Sequence, residues 1–427
     1  MIHRPEQQKN SQYHRVTLDN GIRVVSEHIP SLRSVALGVW VNVGSRDELE
    51  GEEGISHFIE HMFFKGTSRR SAETISREID QMGGEFNAFT SRETTTFYLN
   101  VLDNDLIKAI SLLIDLFQHS TFTTLELKKE KQVILEEMRM VQDDPEDYVH
   151  DLHASNVLKH HPLGRPIIGT ENTIKHLQRS DLLNYRMRHY HPGKIVISVA
   201  GQFNHRILIK TLSKTFGRLQ SIAPLPNGRT KPTITPGIFV RKKRLSQTHL
   251  CLGIKGLQRD HQNRYALGLL NSMLGGSVSS RLFREVREKR GLAYSIYSSL
   301  STFEDVGMLT IYAATQSAEA SRVFKLITKE LKKFRAGDLE VNELRRAKCH
   351  IKGTIVLGLE STSSRMIKLA KDEMYSGRYV PLQEIMTAID RVKASEIKHL
   401  SHELIDRSLQ TVTALGPLSV HTLQGIG

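Results

Sequence analysis

Between Gly54 and Gly66 the chain reads GISHFIEHMFFKG, and no other stretch restricts the fold as strongly. Wound as an α-helix, it stacks His57 and His61 one turn apart, with Glu60 on the same stripe. Ile55, Phe58, Ile59, Met62 and Phe63 fall on a separate apolar face. The helix can therefore bury its back in a core and present two imidazoles and a carboxylate forward. Glu52 and Glu53 before it, Lys65 near its end and Gly66 after it suit the helix dipole and a C-terminal stop. Two neutral imidazoles one turn apart supply half of a zinc site, and the carboxylate between them is placed to act as a base. A surface helix that happens to carry two histidines is the plain alternative. A third ligand decides between them.

The stretch Leu125 to Val141 offers one. Read as a helix, it sets Glu130, Ile134, Glu137 and Val141 along one stripe. A solvated face does not ordinarily mix aliphatic residues with carboxylates, and a buried carboxylate needs a cation or strong donors. Glu137 is the candidate third ligand, and Glu130 the candidate acceptor for an imidazole N–H. The competing reading is an exposed face whose glutamates pair with Lys128, Lys131 or Arg139.

A chain of 427 residues exceeds what one core supports, so two domains are expected. Leu219 to Gly237, with four prolines and two glycines, reads as the linker between a first domain over 1–218 and a second over 238–427. The first half reads as a hairpin about Asp19-Asn20-Gly21, a central strand from Ser34 to Gly44, the histidine helix, a helix from Ser71 to Met82 and a Thr- and aromatic-rich hairpin from Glu85 to Asn100. Helices from Leu106 and Leu125 and a buried strand from Lys194 to Gly201 follow. Strands at 247–256, 291–299, 306–314 and 409–415 alternate with helices in the second half, so the order of elements repeats. Aligning Gly66 with Gly276 puts Leu267, Leu270 and Asn271 where His57, Glu60 and His61 stand, a copy without the metal motif.

The net charge of +13 raises nucleic acid or an anionic membrane as partners. The basic residues are dispersed, apart from Arg241 to Arg244 and Arg284 to Arg290, and no nucleic-acid-binding motif accompanies them; no nucleic acid is expected as partner. No apolar run approaches about 18 residues, and residues 1–9 show no secretory signal, so no membrane span and a cytoplasmic protein are expected. Cys251 and Cys349 read as buried thiols in a reducing compartment.

These residues resemble the M16 metallopeptidases, the family of pitrilysin, insulin-degrading enzyme and mitochondrial processing peptidase. The likeness rests on the His-x-x-Glu-His order of His57, Glu60 and His61, the inverzincin pattern, with Glu137 following. HFIEHMFFKGT (57–67), VILEEM (133–138) with its acidic sequel and SRLFREVREKRGLAY (280–294) carry it further, over nearly the whole chain. The resemblance implies an α+β fold of two homologous sandwich domains, each a largely antiparallel mixed sheet with helices on one face, forming half of a clamshell. It implies a metalloendopeptidase in which His57, His61 and Glu137 ligate Zn2+, Glu60 is the base and Glu130 a supporting glutamate. Arg287 and Tyr294 match the family pair that stabilises the tetrahedral intermediate, and Asn87, Ala88 and Phe89 the edge strand on which peptides are laid. Because one chain supplies one half, a homodimer with sites completed in trans is expected, acting on unfolded peptides in the manner of a processing peptidase. Asp143 to Asp147 with Asp151 either receives a basic substrate side chain or is a solvated helix terminus. A catalytically silent binding or scaffold subunit is the alternative function, although such relatives usually lose part of the motif.

Overall fold

The protein is described from a computed structural model over residues 12–220, 228–406 and 410–423. Residues 221–227 of the expected linker, Leu409 of the expected late strand and residues 1–9 lie outside the described residues. The chain forms two compact units. The first is drawn from the described parts of 1–138, 166–229 and 358–379, the second from 139–165, 230–357 and 380–427.

The first unit is built on strands β1 (Gln12–Thr17), β2 (Arg23–His28), β3 (Ser34–Val41), β4 (Glu85–Thr90), β5 (Thr95–Leu102) and β6 (Ile195–Gly201). They lie in the order β1-β2-β6-β3-β5-β4, antiparallel except for β2 with β6. β1 and β2 form the expected hairpin, turning at Gly21 with φ 94°. Alternation along β3 and β6 divides their apolar residues between two faces. Val35, Leu37, Val39, Ile195, Ile197 and Val199 pack with helices α1 (Ile55–Phe63), α2 (Ala72–Gln81), α3 (Leu106–His119) and α4 (Thr124–Asp143). Ala36, Trp40, Val196 and Ala200 face the other way, against Met366, Leu369 and Ala370 of helix Thr362–Lys371.

The second unit repeats the plan. Strands β7 (Gly237–Lys242), β8 (Thr248–Gly256), β9 (Ala293–Thr302), β10 (Gly307–Thr315) and β11 (Thr411–Gly416) run β7-β11-β8-β10-β9, with β7 and β11 parallel. Leu250, Leu252, Ile254, Leu309 and Ile311 pack with helices Arg264–Leu274, Ala320–Arg335 and Ala394–Leu404. Leu267 and Leu270, at the positions aligned with His57 and Glu60, are core residues. The reverse face, around Cys251, Tyr312 and Leu415, is covered by Val149 and Leu152 of α5 (Pro145–Val157). Each unit is thus completed by one helix from the other half of the sequence, α5 in the second and Thr362–Lys371 in the first.

Several elements differ from the sequence reading. The acidic run does end one helix, but it also starts the next: Asp144 caps α5, accepting from the amides of Glu146 and Asp147, with Pro145 in the first turn. In the second unit, residues 281–288 are helical, with the turns over Phe283–Glu288 widened to a π-helix. Cys251 is buried, but Cys349 is exposed, contrary to expectation, because helix Glu343–Gly358 buries little beyond Glu343 and Ala347. No helix among the described residues is long and apolar enough to cross a membrane.

Candidate metal centre and active site

α1 begins at Gly54, whose φ of 93° no side chain adopts without strain. An added Cβ there would lie 2.6 Å from the Ile168 carbonyl oxygen. With no side-chain cap of its own, the helix takes an acceptor from the preceding loop: buried Glu48 accepts from Gly54 N and Ser56 N, each at 2.9 Å. That satisfies first-turn amides, although burial outweighs these bonds and pushes the Glu48 pKa up to about 8. Ile55, Phe58, Ile59, Met62 and Phe63 are all fully buried, so the orientation of α1 is fixed by packing. The opposite face presents His57 and His61, their ring centroids 4.5 Å apart.

α4 delivers both glutamates. Buried Glu130 faces His61 Nδ1 at 2.8 Å through Oε1 and Lys65 Nζ at 2.7 Å through Oε2. Lys131, one of the alternative partners, instead donates to the Lys175 carbonyl. Two turns on, Glu137 Oε1 lies 3.6 Å from His57 Nε2 and its Oε2 lies 3.5 Å from His61 Nε2. Among the described residues, His57, His61 and Glu137 are the one group of at least three such side chains whose ligand atoms all fall within 4.8 Å of one another. The separations suit a cation better than direct hydrogen bonds: tetrahedral bonds of about 2.0–2.2 Å hold donors roughly 3.3–3.6 Å apart. His61, assigned as donating Nδ1–H to Glu130, turns its Nε2 lone pair toward Glu137. His57 Nδ1 is buried with no hydrogen-bond partner among the described residues.

The electrostatics sort these groups. Burial, reinforced by His61, drives the His57 pKa down to about 3, so this imidazole is a neutral donor. Burial opposes charge on His61 too, but the Glu130 hydrogen bond and the charges of Glu137, Glu130 and Glu60 outweigh it and raise its pKa. Burial likewise works against ionisation of Glu130, yet His61 and Lys65 together hold its pKa below the ordinary value. Glu60 is buried, which raises its pKa, while a hydrogen bond from Thr90 Oγ1 to Oε2 at 2.5 Å works against that rise.

Asn87, Ala88 and Phe89 lie on β4, the edge of the first sheet. Arg287 and Tyr294 belong to the second unit, where the Arg287 guanidinium sits 5.0 Å from the Tyr294 ring centroid and Tyr294 is 78% exposed. In the acidic run, Asp144 is the α5 cap and Glu146 accepts from Tyr297 Oη at 2.8 Å, so both serve the second unit's own structure.

Residues 23–171 match the family model described as insulinase (peptidase family M16), and residues 176–349 match the M16 inactive domain. A Bacillus subtilis protein named an uncharacterized zinc protease is 43% identical over 404 residues, covering 94% of this chain and 98% of its own length.

The chain belongs to peptidase family M16.

A second M16 relative, from Mycobacterium leprae and also named an uncharacterized zinc protease, is 38% identical over 407 residues, 94% of this chain and 91% of its own. The two-domain M16 fold recurs in solved structures. A protease from Helicobacter pylori superposes with TM-score 0.90 at 24% identity, covering 95% of this chain and all of that one. A Pseudomonas fluorescens structure described as a peptidase M16 inactive domain gives TM-score 0.89 at 20% identity over 96% of this chain and 99% of that one.

Three residues that position the candidate site lie beyond the sequence reading. Lys65 suits the helix end as a charge, and its spacing of four from His61 also puts both on one face. Glu48 caps α1 from a loop and Thr90 reaches Glu60 from a strand end, and no periodicity marks either.

Proposed function

We propose that this chain is a zinc-dependent endopeptidase in which His57, His61 and Glu137 hold the metal and Glu60 is the general base. The convergence of three ligand atoms within 4.8 Å carries the reading. A neutral His57 and an Nε2 donor on His61 suit the donor set of zinc, and a three-residue set leaves one position open to water. Bound there, Zn2+ supplies a Lewis acid that makes water nucleophilic near neutral pH and polarises a carbonyl. Glu60 accepts the proton of the attacking water as the new C–O bond forms, then delivers it to the amine nitrogen as the C–N bond breaks. Glu130 keeps the His61 ring in one tautomer throughout.

The substrates on this reading are unfolded peptides added as a strand beside β4 at Asn87, Ala88 and Phe89. The Ala88 amide bonds to Asn87 Oδ1 at 2.8 Å, so an incoming strand takes over a donor already turned from the sheet. Arg287 and Tyr294 stabilise the oxyanion from the second unit of a partner chain, in a homodimer with two sites completed in trans. What supports this is that one chain carries both motifs. The complete donor set weighs against a silent scaffold.

The deciding experiment is digestion of a quenched peptide by the wild type and by Glu60→Gln, with zinc measured in both. Chelator-sensitive cleavage by the wild type is expected, with activity about 10²–10⁴-fold lower in the variant at unchanged zinc content. Cleavage that survives both chelation and the substitution overturns the reading. For the dimer, mixing Glu60→Gln chains with Arg287→Ala chains is expected to restore activity. Mixed dimers as inactive as their parents rule out completion in trans.

A further inference from the structure

β4 is fastened to α1 at both ends. At its start, Phe86 lies against Phe64, the residue that closes α1, with ring centroids 4.5 Å apart. At its end, Thr90 Oγ1 donates to Glu60 Oε2 at 2.5 Å. The edge positions 87–89 lie between these two fastenings. Phe89 is braced separately, edge-on to Trp40 at 5.6 Å and to Tyr98 at 6.3 Å. Thr90 itself is held in the sheet, paired in register with Thr95 on β5.

We propose that Thr90 is a positioning residue for Glu60, and that through it occupation of the β4 edge is coupled to the orientation of the base. The inference rests on the reading of Glu60 as the base. A glutamate carboxylate turns freely about its last bond unless one oxygen is engaged, since that torsion is broad. The Thr90 hydroxyl engages Oε2, which leaves Oε1 as the oxygen that accepts and returns a proton. Thr90 is also the last residue of the strand that receives the peptide, so ordering of the β4 backbone by an added strand is passed to the carboxylate through that residue, whose hydroxyl and backbone amide both act on Glu60. A peptide too short to reach β4 forfeits that ordering and loses kcat as well as KM.

The test uses full-length zinc-loaded protein and the variants Thr90→Val, which keeps the shape without the hydroxyl, and Thr90→Ser, which keeps the hydroxyl. Thr90→Val is expected to lower kcat by about ten- to a hundred-fold, with KM within about two-fold of wild type and zinc content unchanged. Thr90→Ser is expected to recover most of the loss, and Thr90→Val is expected to add nothing in a Glu60→Gln background. Independently of activity, amide exchange over 85–90 is expected to speed up several-fold in Thr90→Val and further in Glu60→Ala, because the first weakens and the second removes the same fastening. The inference is overturned by a Thr90→Val protein with wild-type kcat, by a loss that serine does not recover, or by exchange at β4 that neither variant changes. A wild type that cleaves nothing, or a Glu60→Gln protein that still cleaves, removes the base assignment itself. A normal Glu60→Gln result beside an unaffected Thr90→Val removes only the coupling.

Discussion

Glu130 and His61 meet at 2.8 Å, and the other oxygen of the same carboxylate meets Lys65 Nζ at 2.7 Å. A buried carboxylate between an imidazole N–H and an ammonium fixes the ring and keeps its far nitrogen available as a donor. Replacing Lys65 by Met leaves Glu130 with one partner fewer and frees it to rotate. Zinc affinity, measured by competition with a chromophoric chelator, is expected to fall about 10–100-fold in Lys65→Met and in Glu130→Gln, and much less in Lys65→Arg. Unaltered affinity in both Lys65→Met and Glu130→Gln would falsify the supporting role of this pair.

Because the three donors approach within 4.8 Å without bonding one another directly, a cation is expected to stabilise the first unit simply by binding the folded state. At a free zinc concentration about 100 times Kd, the linkage amounts to about 2.7 kcal/mol. Thermal unfolding of the metal-stripped protein should therefore shift upward with added zinc, and the shift should vanish in His57→Ala. A melting temperature that ignores zinc in the wild type is the contrary result.

The legible part of this protein was what periodicity encodes. His57, Glu60 and His61 on one stripe, and Glu130 with Glu137 on another, are consequences of 3.6 residues per turn, and the small, nearly unbroken apolar run of β3 marks a central strand. α5 was not legible in that way: it buries Val149, His153, Ala154 and Val157, a face interrupted by a histidine that finds a hydroxyl partner only in the fold. The exchange of α5 and Thr362–Lys371 between units depends on which sheet face lacks a cover, a tertiary property that no local window contains. Thr90 and Glu48 escape for the same reason: each touches α1 from an element whose own pattern points elsewhere.

Arg281 and Glu343 form a buried pair in the second unit, with Nη2–Oε2 and Nε–Oε1 both at 2.7 Å, and Arg281 lies two residues before the π-turn that carries Arg287. Glu343→Ala strands a guanidinium whose other partners are the Asp338 carbonyl and the Phe334 ring. The expected cost is about 3–5 kcal/mol of stability, read from denaturant unfolding. The double variant Arg281→Met/Glu343→Leu, which removes both charges, should recover much of it. A single variant as stable as wild type would show the pair to be dispensable.

His153 provides a pH dependence that is independent of the metal centre. It is buried on α5, with Nδ1 3.1 Å from Thr413 Oγ1 and Nε2 without a hydrogen-bond partner among the described residues. Burial, helped by nearby His150, pushes its pKa down to about 3. The depressed value means that the folded state refuses a proton which the unfolded chain accepts near pH 6.5, the ordinary histidine value. Stability from this group is therefore complete above about pH 6.5 and is lost progressively as pH falls toward about 3. Going from about pH 7.5 to about pH 5 costs about 2 kcal/mol at this one site. His153→Gln keeps a polar group for Thr413 but cannot titrate, so its denaturation midpoint should fall less steeply over that interval than that of the wild type. Parallel slopes for the two proteins would mean that His153 takes up its proton without unfolding the second unit.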